Sequence, residues 1–183
     1  MNITVKKIAQ IGIFAALSYV AFAFLQIKIP LPAGDMVSIH MGNAVVILAA
    51  LLIGGSEGGI AGALGMTVGD LLDPVYIVYA PKTFVCKILI GVVCGLSAHK
   101  LFKIRTVTDN KRVLPFVIIS SAAGMIFNVI FDPLIGYYYK ILILGKDVAS
   151  VALKYNIGVT SINALTSIIV GTLGYMLLKN RIK

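Results

Sequence analysis

The chain alternates between long apolar segments and short breaks that are polar or rich in glycine and proline. This pattern predicts an all-α bundle of six transmembrane helices that forms one domain over residues 1–183. The predicted helices are Ile8–Leu25, Ile39–Ile53, Gly58–Leu72, Pro81–Phe102, Val113–Tyr137 and Ile157–Leu178. The second and third are shorter than the roughly 20 residues of a full span, so we expect them to be tilted or to stop short.

The breaks between these segments predict the connections. Pro30, Pro32, Gly34 and Asp35 indicate a loop over Gln26–Ser38 that is long enough to fold over a site. The other predicted connections are a tight turn at Gly54–Gly59, a tyrosine-rich link at Val75–Ala80, a basic loop at His99–Arg112, and a mixed segment at Lys140–Asn156 that could form a short interfacial helix.

Composition and charge agree with a membrane protein. The chain is 59% hydrophobic and 13% charged, which leaves too little polar surface for a soluble domain. The basic residues collect at the ends of apolar segments and form no aromatic-interleaved patch, which argues against a nucleic-acid partner. Ten of them fall on the side that holds both termini and four on the opposite side, so the positive-inside rule predicts cytoplasmic N- and C-termini in a multi-pass plasma-membrane protein.

The two cysteines, Cys86 and Cys94, share one apolar segment. Their spacing and the small number of neighbouring ligands fit neither a disulfide framework nor a metal site. We therefore expect small apolar core residues, with no metal and no cofactor.

The predicted topology brings the polar residues of five helices to the outer level of the membrane. The candidate substrate-binding residues are His40, Asn43, Asp70, Tyr76, Tyr79, Lys87, Asn128, Asp132 and Asn163. The acids and lysines at this level nearly balance, which favours a neutral or zwitterionic ligand, and the tyrosines could stack on a flat heterocycle. No polar track crosses to the other side, so the pattern indicates a capture site without its own conduction route.

A purely structural role for these polar residues is the alternative. Aspartate–lysine pairs and amides can hold a bundle together, and long side chains can reach the headgroups. Such snorkelling explains the outermost groups, Asp73 and Lys82, better than the deeper ones. His40 could equally be a ligand-binding or an interfacial residue.

The first helix carries small residues at close spacing, including Gly12, Ala15 and Ala16. Small residues let two helices approach closely. They could serve packing within the bundle or docking of another membrane protein, and the sequence leaves both open.

The central run from Gly42 to Gly91 carries a family resemblance. It reads GNAVVILAALLIGGSEGGIAGALGMTVGDLLDPVYIVYAPKTFVCKILIG. It resembles the GNA…LLxGPxxGxxxGxxGxxxxDLL…PxTFxxKxxxG pattern of S components of energy-coupling factor (ECF) transporters, in the riboflavin-type branch that also includes proposed carriers of hydroxymethylpyrimidine and vitamin B6. The run departs from the pattern at Gly55, where the family usually has proline, and at Lys82. The segment from Gly12 to Ala16 is similar to the family's docking motif.

The resemblance implies a substrate-capture subunit that is not itself an enzyme. S components bind a water-soluble vitamin from outside, then associate with a transmembrane coupling subunit and two ATP-hydrolysing subunits. The chain has no ATPase motif, which agrees with energy supplied by partners. The many Asp, Lys and Asn residues and the modest aromatic content favour a pyridine- or pyrimidine-type ring, such as vitamin B6 or hydroxymethylpyrimidine, over riboflavin.

Two other function classes fit less well. A self-sufficient secondary transporter tends to show internal repeats around broken helices, and the halves of this chain show no convincing repeat. An intramembrane aspartyl protease needs a GxGD motif. Here Thr67 stands in place of the first glycine, and Asp132 lacks the expected preceding tyrosine.

Overall fold

A computed structural model describes residues 4–31, 36–145 and 149–181 of the chain. Its α-helices are α1 (Val5–Ala23), α2 (Gly42–Leu52), α3 (Gly55–Leu71), α4 (Ala80–Gly95), α5 (Asn110–Leu142) and α6 (Ala149–Leu178). The predicted helical bundle is confirmed. Among the described residues, four helical segments are long and apolar enough to cross a membrane: Val5–Ala23, Ile77–Leu101, Asn110–Leu142 and Ser150–Leu178.

The prediction of a loop over Gln26–Ser38 is wrong. Strand β1 (Gln26–Pro30) pairs antiparallel with strand β2 (Met36–His40) to form a hairpin. The strands carry apolar residues at alternate positions, and this face packs against the start of α6; the packed set is Ile29, Leu31, Val37, Ile39, Ala152 and Val159. Pro30 is the last residue of β1, where the lack of an N–H donor is tolerated. Pro32, Gly34 and Asp35, also predicted to lie in the loop, fall outside the described residues.

Several helix boundaries also differ from the prediction. Helix α2 begins at Gly42 rather than Ile39, because residues 36–40 belong to the hairpin. The predicted tight turn at Gly54–Gly59 shrinks to Gly54, whose φ of +124° suits glycine, and α3 starts at the next residue. The basic loop at His99–Arg112 contains the end of a π-helical turn, Leu96–Leu101, a 3₁₀ turn, Ile104–Thr106, and the start of α5.

The mixed segment predicted at Lys140–Asn156 is largely helical. Helix α5 continues to Leu142 and α6 starts at Ala149, while residues 146–148 lie outside the described part. At 1.5 Å per residue, α5 is about 50 Å long and extends beyond the roughly 30 Å hydrocarbon layer. The added ends of α5 and α6 carry polar residues beyond the apolar part of these two helices.

One ion pair marks each end of the bundle. Lys28 of β1 forms an ion pair with Asp73, just after α3, at the end that carries the hairpin. Lys7 of α1 and Glu57 of α3 form an ion pair of 2.6 Å at the other end. We call these the hairpin end and the opposite end.

Helix α2 is the centre of the bundle, with nine of its 11 residues buried. It is only about 16 Å long, so both of its ends lie inside the protein. Two carbonyls at its C-terminus accept hydrogen bonds from other elements: His99 Nε2 is 2.9 Å from the oxygen of Ala50, and Arg105 donates to Leu52 at 2.8 Å. These contacts satisfy orphan carbonyls of a helix that stops short.

Helices α3 and α4 approach closely along a glycine seam formed by Gly55, Gly59, Gly91 and Gly95. A Cβ on Gly59 would lie 2.7 Å from the carbonyl oxygen of Ile88, and one on Gly91 would overlap the backbone of Gly59. The seam lies toward the opposite end of the bundle and keeps together the two helices that carry Asp70 and Lys87 at the hairpin end.

The substitution Gly91→Ala is expected to destabilise the protein by about 3 kcal/mol, because the added methyl overlaps backbone that has nowhere to move. Thermal unfolding in detergent measures the effect. Gly158→Ala on α6 is the matched control, since nothing lies within 4 Å of its would-be Cβ. Equal unfolding midpoints for the two variants would contradict the close contact.

Candidate ligand-binding site

A cavity of about 100 Å³ lies beneath the hairpin. It lies among α2–α6 and strand β2, and the side chain of Phe22 from α1 reaches it as well. Its lining is Phe22, Met36, Val37, Ser38, His40, Asn43, Met66, Asp70, Tyr76, Tyr79, Lys82, Thr83, Lys87, Asn128, Asp132, Gly136, Lys140, Asn156, Val159, Thr160 and Asn163.

Four polar residues of this cavity come from four different helices. Asn43 lies in the first turn of α2, Asp70 near the end of α3, Lys87 on α4 and Asn128 on α5. Each is at least 95% buried. Burial of a polar group without a hydrogen bond costs roughly 1–3 kcal/mol. A role in packing alone would therefore not compensate for the burial of these four side chains.

Several polar atoms of this group have no hydrogen-bond partner among the described residues. They are Oδ1 of Asn43, Oδ2 of Asp70, and both Nδ2 and Oδ1 of Asn128. Lys87 has no carboxylate oxygen within 4.0 Å in the described part of the chain. The cavity therefore presents open donors and open acceptors together, as a site for a polar molecule does.

Lys82 and Asp132 form an ion pair of 3.0 Å in the same cavity, with each side chain only 12% exposed. A buried pair with good geometry satisfies both charges and holds its two helices in register. The expectation that Lys82 snorkels to the headgroups is therefore wrong, because its ammonium turns inward to Asp132. Asp73 does lie at the rim, where Lys28 binds it, and it does not line the cavity.

Aromatic rings form the wall on the hairpin side. The ring of His40 meets Phe22 edge-on with centroids 5.0 Å apart, and Tyr76 lies 6.5 Å from Phe22. Lys140 Nζ lies 5.4 Å from the ring centroid of Tyr79. Burial, together with the positive charges of Lys87 and Lys82, lowers the pKa of His40 to about 3, so its imidazole is neutral at physiological pH.

Asn163 of α6 fixes strand β2 over the cavity. Its Oδ1 accepts a hydrogen bond of 3.0 Å from the backbone N–H of His40, and its Nδ2 donates one of 3.0 Å to the carbonyl of Ser38. The carboxamide thereby forms a bidentate clamp on one edge of the hairpin. Asn163, which the sequence predicted to bind the ligand, thus uses both atoms of its carboxamide to hold strand β2.

Removing this clamp is expected to speed ligand release. Asn163→Leu deletes two hydrogen bonds, each worth about 1 kcal/mol, and should raise the dissociation rate by about 10- to 30-fold. Stopped-flow or filter-binding dissociation measures it. Ser161→Ala, whose hydroxyl donates to Ile157 of the same helix, is the control and should release ligand at the wild-type rate. An unchanged rate in Asn163→Leu would show that β2 does not retain the ligand.

A family model described as "ECF-type riboflavin transporter, S component" matches residues 2–180. The chain belongs to this family. It is an S component, the substrate-binding subunit of a vitamin transporter, which is a membrane protein and not a kind of enzyme. Comparison with curated proteins and with solved structures gave no match.

The S component brings all nine predicted binding residues to the one cavity. Their contact with a ligand stays a prediction. The family to which the chain belongs is a transporter component, which argues against the aspartyl-protease alternative.

The sequence did not point to several lining residues. Lys140, Asn156 and Thr160 lie on the parts of α5 and α6 that were predicted to be irregular or to begin a helix, so their shared cavity could not be seen from the apolar pattern. Phe22 and Met66 resemble ordinary core residues in the sequence. The β-alternation at 36–40 was the available signal for Val37 and its neighbours.

Helix α1 of the S component turns Gly12 and Ala16 away from its own bundle. Both are exposed, and nothing lies within 4 Å of a Cβ built on Gly12. Ala15 is half-buried, and its carbonyl oxygen lies against Gly65 of α3. Packing within the bundle therefore does not explain Gly12 and Ala16, whereas Ala15 lies at the boundary between the bundle and the exposed face.

Proposed function

We propose that this S component captures a water-soluble vitamin, or a precursor of one, in the cavity beneath the hairpin. The convergence of unpartnered buried atoms of Asn43, Asp70 and Asn128 in one cavity carries the proposal. Leaving such atoms unpaired in a membrane protein costs several kcal/mol in total. A ligand that forms hydrogen bonds with them removes this cost, and the free energy recovered contributes to its affinity.

The cavity opens toward the outside of the cell in this proposal. The basic residues outside the cavity are concentrated at the opposite end of the bundle, on α1, the 99–112 segment and the end of α6. The positive-inside rule assigns that end, with both termini, to the cytoplasm of the plasma membrane. The hairpin end then faces the medium from which a nutrient is taken up.

The size of the cavity favours a small ring. At about 100 Å³ the cavity is of the same order as an engineered cavity of roughly 150 Å³ that binds benzene, a single ring. A monocyclic pyridine or pyrimidine with small substituents fits this volume, whereas the three fused rings and ribityl chain of riboflavin require the hairpin to move outward.

Transport itself requires partners. We propose that the exposed face of α1 around Gly12 and Ala16 docks on the transmembrane coupling subunit, and that two ATPase subunits supply the energy. Small residues suit this face because they let a partner helix approach closely within lipid.

Reconstitution tests this function. The protein alone, in liposomes, should bind the vitamin that most raises its unfolding temperature, without ATP or an ion gradient, and should not accumulate it. Addition of the coupling and ATPase subunits with ATP should produce accumulation. Gradient-driven accumulation by the protein alone would instead show a secondary transporter.

A further inference from the structure

We propose that the opposite end of the bundle binds the phosphate headgroup of an anionic phospholipid, in a basic cavity that continues into an apolar groove between α1 and α6. The proposal is independent of which molecule is captured beneath the hairpin. It is carried by the charge of this second cavity, by one unpartnered hydroxyl in its wall and by the groove that leads into it.

The second cavity exists because α2 is short. Helix α2 ends at Leu52, and the space beyond its end is surrounded by the start of α1, the end of α6 and the segment 104–108. The cavity has a volume of about 610 Å³. Part of its lining is apolar and comes from Leu51, Ile53 and Ile104. A ligand here therefore meets apolar surface as well as the polar groups of the helix ends.

Basic side chains dominate the polar part of this lining. They are Lys6, Lys7, Arg105 and Lys179, and no acidic residue belongs to the lining in the described part of the chain. Glu57 pairs with Lys7 from outside the lining.

Two of these cations have capacity left for an anion. Arg105 donates one N–H to the carbonyl of Leu52, and a guanidinium has five N–H donors. Neither Arg105 nor Lys179 has a carboxylate oxygen within 4.0 Å among the described residues. Phosphate suits this pair, because the arginine fork binds two of its oxygens and an ammonium adds a third contact.

Tyr175 adds a neutral donor to the same wall. It lies four residues before Lys179 on α6, so the two side chains share one face of the helix. Tyr175 is only 4% exposed and lines the cavity, and its hydroxyl forms no hydrogen bond with any described residue. A phenolic O–H donates readily to a phosphate oxygen. The unpartnered hydroxyl therefore points to an acceptor ligand, as the cations do.

An apolar groove leads into the cavity along α2. Helices α1 and α6 both pack against α2 but make little contact with each other. The two α2 residues that are not fully buried, Val45 and Leu48, lie three positions apart on one face. Leu52 follows on this face and lines the cavity. The uncovered strip of α2 between α1 and α6 thus ends at the basic lining.

This combination identifies the occupant as a lipid. A phospholipid places its phosphate among the cations and an acyl chain along the groove, whereas a soluble phosphate compound leaves the groove unused. Basic pockets between transmembrane helices bind anionic headgroups in this way. A zwitterionic lipid brings an ammonium group next to Arg105 and Lys179, and repulsion reduces its affinity.

Lipid titration tests the site. The purified full-length protein, delipidated in an uncharged detergent, is titrated with phosphatidylglycerol or with phosphatidylcholine that has the same acyl chains. Native mass spectrometry counts the bound lipid, and thermal unfolding is followed in parallel. One phosphatidylglycerol should bind at least about 10-fold more tightly than phosphatidylcholine and should raise the unfolding temperature more, because it binds the folded state.

Variants tie this preference to the cavity. Each basic residue near an anionic lipid contributes about fivefold in affinity, so Arg105→Gln with Lys179→Gln should weaken phosphatidylglycerol by about 20-fold. Lys179→Gln alone should weaken it by about fivefold, and its side chain makes no hydrogen bond that the fold would lose. The matched control is Lys103→Gln with Lys111→Gln, which removes two charges from the same end outside the cavity and should stay within about twofold of wild type.

The inference is overturned if the two lipids bind equally, if the Arg105 and Lys179 variants keep the wild-type preference, or if the control double variant loses as much affinity. Glycerophosphoglycerol, the headgroup without acyl chains, should compete at least about 30-fold less well than the lipid. Equal competition would show a site for a soluble phosphate compound. Weaker assembly of the Lys179 variant with the coupling subunit, at unchanged lipid preference, would assign the cavity to that protein and refute the lipid.

Discussion

Asp70→Asn is expected to weaken ligand binding by about 100-fold or more. The carboxylate is 98% buried and its Oδ2 has no partner among the described residues, so it is an acceptor that the ligand itself should complete. Removing one member of a buried charged hydrogen bond costs roughly 2–5 kcal/mol. Titration calorimetry with the vitamin found in the thermal-shift screen measures the loss.

The matched control for this variant is Asp73→Asn, three residues along the chain. Asp73 forms an ion pair with Lys28 at the rim and does not line the cavity. Its removal should change affinity by no more than a few-fold, since partly exposed pairs contribute about 0–1 kcal/mol. Similar losses of affinity in the two variants would mean that both acids act indirectly, through the hairpin or through long-range electrostatics, and that Asp70 does not contact the ligand.

The second large effect separates docking from capture. Gly12→Leu and Ala16→Leu should each reduce ATP-driven uptake by roughly tenfold or more, because a bulky side chain prevents the close approach of a partner helix. Ligand affinity should remain within about twofold of wild type, because these positions are exposed and lie on α1, away from the cavity lining. Uptake and binding are measured on the same preparations.

A third exposed position controls for the added bulk. Gly158→Leu places the same side chain on α6, where nothing lies within 4 Å of the would-be Cβ. It should transport normally if only the α1 face meets the coupling subunit. Normal uptake in Gly12→Leu and Ala16→Leu, or loss of ligand affinity in them, would refute the docking role.

The apolar pattern and the positions of the basic residues were sufficient to predict the helices and the level of the cavity. Charged and amide side chains are too costly at membrane depth to be scattered, so their positions near one set of helix ends indicated convergence. All nine residues chosen on that basis line the same cavity.

The hairpin could not be predicted with the same rules. Pro30 and Pro32 indicate a loop, and the alternation over 36–40 is short. What decides the structure is tertiary: the apolar face of the strands packs on α6, and Asn163 binds β2 from more than 120 positions away in the sequence. A local pattern carries no information about a partner at that separation.

The sequence also could not predict which charged residues form ion pairs. The sequence separated the outermost groups, Asp73 and Lys82, from the deeper ones, but it did not show which acid pairs with which lysine. Only the packing of α4 against α5 pairs Lys82 with Asp132, and only the hairpin brings Lys28 to Asp73. The difference between a satisfied ion pair and an open binding group depends on the distance between side chains, which hydropathy and spacing do not give.

The most direct test of capture in this cavity is the amount of small molecule released when the purified protein is denatured. The protein is expressed and purified without coupling or ATPase subunits, and the extract is quantified by mass spectrometry. Wild type and Asp73→Asn should each release close to one equivalent of a single vitamin-like compound, and Asp70→Asn should release almost none. One equivalent from Asp70→Asn, or none from any of the three, would contradict capture by this site.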